Sequence, residues 1–211
     1  MTMTRRLTVA LAGVVALGLT VAAQNRRIAS PAGVSATEIG GKHDQRQGYV
    51  GGKWIEVQYG RPIKRGRNLF GPTDYADALK DGAPVWRAGA NVSTRLVTEM
   101  PLAIGGKTLP PGTYTMFIDL KGNAWTLIVS TWPAQTTYDE RNKQALWGAY
   151  DYTPDRDVVR VPMKVDALPY AYDQLSWEFL DMTDAGGRLA IFWDRKMASV
   201  PFSLGVTGLG R

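Results

Sequence analysis

The chain reads as an all-β protein, an antiparallel β-sandwich of jelly-roll-like type with one or two short helices in its connections. Three observations predict this. Apolar and polar residues alternate with period two in one segment after another, paired glycines punctuate those segments, and no helical run is long enough to cover a sheet.

Taken in order, the first stretch is not part of the fold. Arg5 and Arg6 precede an apolar run over residues 7–19, and Val21-Ala22-Ala23 supplies small residues before Gln24, the order of an export signal cleaved near Ala23. The run is short of the ~20 residues that span a bilayer, so no stable membrane span is expected after cleavage. The expected location is periplasmic or secreted, and the arginine pair leaves general secretory and twin-arginine export both open. Residues 24–33 read as a tether closed by Ser30-Pro31, residues 34–204 as one domain, and residues 205–211 as a tail.

The strands follow from their alternation. Ile55, Val57 and Tyr59 alternate with Trp54, Glu56 and Gln58; Tyr114, Met116 and Ile118 with Thr113, Thr115 and Phe117; Trp125, Leu127 and Val129 with Thr126, Ile128 and Ser130. Val159, Val161, Met163 and Val165 make a further run, in which Pro162 cannot donate to a ladder and so marks an edge or a bulge. Leu175, Trp177 and Phe179, then Leu189, Ile191 and Trp193, then Val200, Phe202 and Leu204 complete the set. Several of these strands are expected to keep one face wet, as antiparallel sheets allow. Gly40-Gly41, Gly51-Gly52, Gly105-Gly106, Lys121-Gly122-Asn123 and Gly186-Gly187 fall between the runs as turns.

Helix is scarce. Thr73 as a cap, early acids and the late Lys80 predict two turns over residues 73–80, and residues 137–146 predict a second short helix. The apolar faces must then pack sheet on sheet, with a flattened barrel as the competing architecture.

Composition narrows the function. The chain has no cysteine, so packing alone holds an exported fold together, and a lipid-anchored lipoprotein, a thiolate nucleophile and a zinc–thiolate site are excluded. The net charge of +6 includes Arg5 and Arg6, and the remaining bases are scattered among acids except over residues 61–67. No nucleic-acid partner is expected, while an anionic small molecule or an acidic glycan or lipid surface of the envelope stays open.

Five motifs carry a resemblance. Tyr59-Gly60-Arg61-Pro62, Lys64-Arg65-Gly66-Arg67-Asn68-Leu69-Phe70-Gly71, Val85-Trp86-Arg87-Ala88-Gly89-Ala90-Asn91, Ile104-Gly105-Gly106-Lys107-Thr108-Leu109-Pro110-Pro111-Gly112-Thr113-Tyr114 and Trp147-Gly148-Ala149-Tyr150-Asp151-Tyr152 occur in that order. In their order and spacing, over roughly residues 30–204, the chain resembles the exported bacterial family of domain of unknown function 2911. The resemblance implies an exported, mostly β domain and supplies no activity. Residues 43–52 depart from the family pattern as an extended hairpin insert, residues 73–83 as a longer connection, and Val92 as an apolar residue after the Asn.

The candidate ligand-binding residues are Arg61, Arg65, Arg67, Trp86, Arg87 and Asn91. Guanidinium groups present planar forks matched to carboxylates, phosphates and sulfates, so several at one mouth would make an anion or acidic-glycan site. Trp86 and Tyr59 would stack on a sugar ring or on an arginine. The same arginines, set among Pro, Gly and Asn, equally fit internal braces bonded to loop carbonyls. Asn91 fits a positive-φ turn position. Trp125, Trp147, Trp177 and Trp193 read as core, and Trp132 as exposed. Asp151, Asp155 and Asp157 have a spacing that would admit Ca²⁺, although the run lacks the Gly and terminal Glu of an EF-hand loop. His43 is the only histidine and no Gly-x-Ser-x-Gly elbow occurs, so no catalytic residue, metal or cofactor is assigned.

Three functions therefore stand side by side. The first is a non-catalytic binding module for an anionic or glycan ligand. The second is an envelope structural or assembly protein with the arginines as braces. The third is a glycan hydrolase using a carboxylate pair such as Asp119 with Glu178. Oligomeric state is left open.

Overall fold

The computed structural model describes residues 28–70, 79–121 and 124–205. The stretch read as an export signal, most of the helix expected over residues 73–80, and Gly122 and Asn123 of the expected Lys121-Gly122-Asn123 turn lie outside the described residues.

The first strand, β1 (Ala32–Ile39), starts two residues before the expected domain boundary, and the Pro31 carbonyl accepts the Arg61 N–H. A small hairpin, β2 (Lys42–Asp44) and β3 (Gly48–Val50), forms the insert. Then come β4 (Lys53–Gly60), β5 (Thr94–Thr98), β6 (Leu102–Ile104), β7 (Lys107–Leu109), β8 (Gly112–Lys121), β9 (Ala124–Ser130), β10 (Asp157–Pro162), β11 (Lys164–Thr183) and β12 (Gly186–Leu204). One sheet has the order β1-β4-β5-β8-β9-β10 and the other β11-β12-β6-β7, every pairing being antiparallel. The fold is an all-β sandwich, as the alternation predicts. Ile55, Val57 and Tyr59 of β4, Met116 and Ile118 of β8, and Leu175 and Trp177 of β11 meet in one core between the sheets.

Three expectations need correction. The outer face of β8 and β9 is not wet, because Phe117 and Ile128 pack under Leu146, Ala149 and Tyr152 as a second apolar cluster. The segment that covers them is built of turns where residues 137–146 predict a helix. Gln135 is the reason: its Nε2 donates to the carbonyls of Asp139, Asn142 and Ala145, and its Oε1 accepts the Asp139 N–H. A buried side chain thus satisfies groups that a helix would satisfy internally. The run from Val159 to Val165 is two strands, because β10 ends at Pro162 on the sheet edge and β11 begins in the opposite sheet.

Finally, β12 does not run straight. Eleven extended residues span about 36 Å, yet Arg188 Nη1 lies 3.3 Å from Ser199 Oγ, and a side chain at Gly186 would collide with the backbone of Phe202. The strand bends at Asp194, whose φ is 52°. Its partner takes the outside of the bend, the register passing from Tyr172↔Asp194 to Ala167↔Lys196 so that five steps of β11 answer two of β12. The runs around Ile191 and Phe202 are the two arms of this one strand.

Candidate functional site

The bend of β12 meets the segment that follows β4. Residues 61–70 dock on β11 through two backbone bonds, Leu175 N–H to the Pro62 carbonyl at 3.0 Å and Lys64 N–H to the Asp173 carbonyl at 2.6 Å. Asp194 is locked beneath them, its carboxylate paired with Lys64 Nζ at 2.6 Å and accepting the Leu69 N–H at 3.3 Å. A non-glycine residue held at positive φ stores backbone strain, and here the surrounding bonds hold it.

Phe70 connects this segment to an aromatic cluster of the core. Trp193 stacks on Trp86 with 13° between ring planes and 6.0 Å between centroids, and Phe70 lies 4.9 Å from Trp125 and edge-on to both stacked rings. The Arg67 guanidinium sits 5.8 Å from the centroid of Trp193 while donating to the carbonyls of Lys64 (2.9 Å) and Ile63 (2.8 Å). Lys64, Arg67, Phe70, Asp194, Arg195 and Lys196 surround a hollow of about 260 Å³. Arg67 also borders a neighbouring hollow of about 360 Å³, which takes in Ser30, Pro62 and Arg65.

The electrostatics follow by charge count. Lys64 is answered by Asp194, and among the described residues the lining holds no other acid. Arg67 and Arg195 bond to carbonyls, the latter to Pro169 at 2.6 Å, but a carbonyl accepts a hydrogen bond without cancelling a charge. Arg65, Arg67, Arg195 and Lys196 thus leave four positive charges around the paired hollows. Such a mouth can hold an anion by charge-assisted hydrogen bonds.

The six sequence-predicted residues divide among different places. Arg65 and Arg67 share this mouth. Arg61 lies in a separate cleft between β1 and β11, with Nε 3.4 Å from the Leu175 carbonyl and Nη2 3.3 Å from Ser176 Oγ. Arg87 is 8% exposed, donates to the Asn91 carbonyl (3.1 Å) and to Asp81 (3.3 Å), and lies over the Tyr150 ring at 5.2 Å. Trp86 is 1% exposed and offers no face to a ligand. Alternation explains the separation: Trp86 bridges Ile118 and points into the main core, whereas Val85 joins the second cluster on the other side and Arg87 emerges near it. Asn91 does take the positive φ read from the sequence, at 64°, and its Nδ2 donates to the Ser30 carbonyl at 3.2 Å.

Lys64, Phe70, Arg195 and Lys196 were not singled out by residue type. The signal for the last two is the charged triplet Asp194-Arg195-Lys196 between two apolar runs, which marks a turn carrying bases. Trp125, Trp177 and Trp193 are core, Trp147 is half-buried against Tyr138, and Trp132 is half-covered by Arg156, whose guanidinium lies 4.0 Å from the ring centroid.

The three aspartates spaced for calcium have partners of their own. Asp151 pairs with Lys143, Asp155 accepts the Thr153 hydroxyl, and Asp157 accepts Tyr152 Oη at 2.5 Å and Arg160 Nη1 at 2.7 Å. Among the described residues no three His, Cys, Asp or Glu side chains group as a metal site. Burial first, and Asp157 second, push the Tyr152 phenol far above its ordinary value. Asp119 and Glu178 flank inward residues of opposite sheets, Ile118 and Trp177, so their side chains point away from each other and share no cleft. His43 stands edge-on to Tyr49 on the β2–β3 hairpin.

A family model described as Protein of unknown function (DUF2911) matches residues 42–202. No curated protein and no solved structure matches the chain.

Proposed function

The chain belongs to the family described as Protein of unknown function (DUF2911), a premise that fixes kinship without chemistry, and on it we propose a non-catalytic binding module for an anionic ligand. The module works outside the cytoplasm, after removal of the export signal near Ala23. The ligand sits at the β12 bend. One observation carries this reading: among the described residues, four positive charges without carboxylate partners gather around two neighbouring hollows, one of them lined by Phe70. Among the described residues the one acid of the lining, Asp194, is tied to Lys64 and the Leu69 N–H, and the basic groups are held by a strained, over-determined turn, which favours binding over turnover.

A second reading has its own observation. Arg61, Arg67 and Arg87 all donate to backbone carbonyls, which suits an envelope structural or assembly protein braced by its arginines. Thermal unfolding with added sulfate, against chloride at matched ionic strength, separates the two. Ligand held by the native state alone raises its melting temperature. The binding reading expects a rise with sulfate that the variant Arg65→Ala/Lys196→Ala loses while its own melting temperature without sulfate stays near wild type. No rise with sulfate overturns the reading and leaves the braces as the sole role of the motif.

A further inference from the structure

Beside the basic mouth, three aromatic rings lie in series on the outer side of the β11–β12 ribbon. Tyr170 is 59% exposed and its ring centroid lies 5.8 Å from that of Tyr172, tilted by 40°. Tyr172 lies 4.9 Å from Phe192, tilted by 39°, and Phe192 is buried. The series therefore descends from an open ring to a seated one. It exists because β11 carries its extra residues on the outside of the bend, which lifts Tyr170 clear of the ladder.

Three contacts tie the shelf to the basic mouth. Tyr172 is the register partner of Asp194, which lines the hollow, and Asp173, next to it, takes the Lys64 N–H. The Arg195 guanidinium donates to Pro169, the residue before Tyr170. Tyr170 thus directly follows the residue to which Arg195 of the hollow is bonded, and Tyr172 backs its ring against buried Phe192.

Resting on the anion-binding reading, we infer that the ligand is an acidic polysaccharide, one sugar ring lying on Tyr170 and an adjoining carboxylate or sulfate reaching Arg195 and Lys196. The chemistry distinguishes this from a free inorganic anion. An inorganic anion has no use for an aromatic face, whereas the C–H face of a pyranose packs flat on one and its acidic group then meets the guanidinium and ammonium. Tyr170 is well suited to this role, since a tyrosine gives large contact area for little lost conformational freedom.

Calorimetric titration of the full chain tests the inference with four probes: tetragalacturonate, a neutral tetrasaccharide, inorganic sulfate, and vesicles of phosphatidylglycerol mixed with phosphatidylcholine. Tetragalacturonate is expected to bind and the neutral sugar not. Tyr170→Ala should weaken tetragalacturonate about tenfold, leave sulfate unchanged and be rescued by Tyr170→Phe. Because Tyr170 is exposed, its truncation leaves the core intact. Sulfate binding without tetragalacturonate binding, or equal affinity in Tyr170→Ala, overturns the shelf and leaves the anion site standing. Vesicle binding without oligosaccharide binding assigns the mouth to a lipid surface and overturns the inference as well. Binding of none of the four probes removes both readings together.

Discussion

Lys64 Nζ and Asp194 Oδ1 stand 2.6 Å apart and join the segment after β4 to the bend of β12. The carboxylate is the more enclosed partner, and removing the ammonium leaves it buried with only the Leu69 N–H. A fully buried orphan would cost more and a surface pair almost nothing, so Lys64→Ala should cost about 2 kcal/mol. For a domain of this size that is a fall of about 4–8 °C in melting temperature. Adding Asp194→Asn should recover part of it, since an amide keeps an acceptor for Leu69 without the orphan charge. Additive losses in the double variant would show that the pair is not coupled.

Arg87 acts as a brace of a different kind. Its ion pair with Asp81 is weak, because Asp81 is largely in solvent, but Arg87 itself is buried, where its guanidinium bonds the Asn91 carbonyl and packs over Tyr150. Arg87→Ala should therefore cost about 2 kcal/mol, nearly independent of salt. Equilibrium unfolding in urea at low and high ionic strength measures this. A loss that disappears in high salt would assign the brace to the ion pair instead, and no loss at either would deny the brace altogether.

These two residues also show what the sequence could and could not convey. The strands β4, β8 and β9, the glycine turns at Gly40-Gly41 and Gly105-Gly106, the edge at Pro162 and the positive φ of Asn91 are local properties, set by alternation, ring closure and side-chain size, and are legible residue by residue. The position of Arg87 is not local. It depends on Trp86 entering the core beside Ile118, which turns its neighbour away from Arg65 and Arg67 by the simple alternation of a strand. The bend at Asp194 is equally non-local, because nothing in an Asp announces positive φ until Lys64 and Leu69 are there to hold it. Arg195 and Lys196 lie between two apolar runs far along the chain from Arg67, and only the fold-back of β12 brings them beside it. The helix expected over residues 137–146 fails for a related reason, since Gln135 takes over the carbonyls from outside the segment.

The Tyr152 phenol supplies a pH dependence whose sign can be worked out. Burial, and then the bond to Asp157, raise its pKa from the ordinary 10.0, with Arg160 opposing weakly. Below the ordinary value both folded and unfolded chains hold the proton, and the contribution of Tyr152 is fully present. Above it the unfolded chain releases the proton first, binds fewer protons than the native state, and gains stability relative to it. Folding stability should therefore be insensitive to Tyr152 up to about pH 9 and fall as pH climbs past about 10, the reference phenol value. Tyr114 and Tyr172, whose phenols are also raised by burial, contribute to the same decline, so the informative quantity is a difference between slopes. Tyr152→Phe should cost about 1 kcal/mol at neutral pH, from the lost bond to Asp157, and should show a shallower decline than wild type between about pH 10 and 11. Urea midpoints across that range decide the matter. Parallel slopes would mean that the phenol ionises as easily in the folded protein as in the unfolded chain, and that the enclosure of Tyr152 by Phe117 and Asp157 does not persist in alkaline solution.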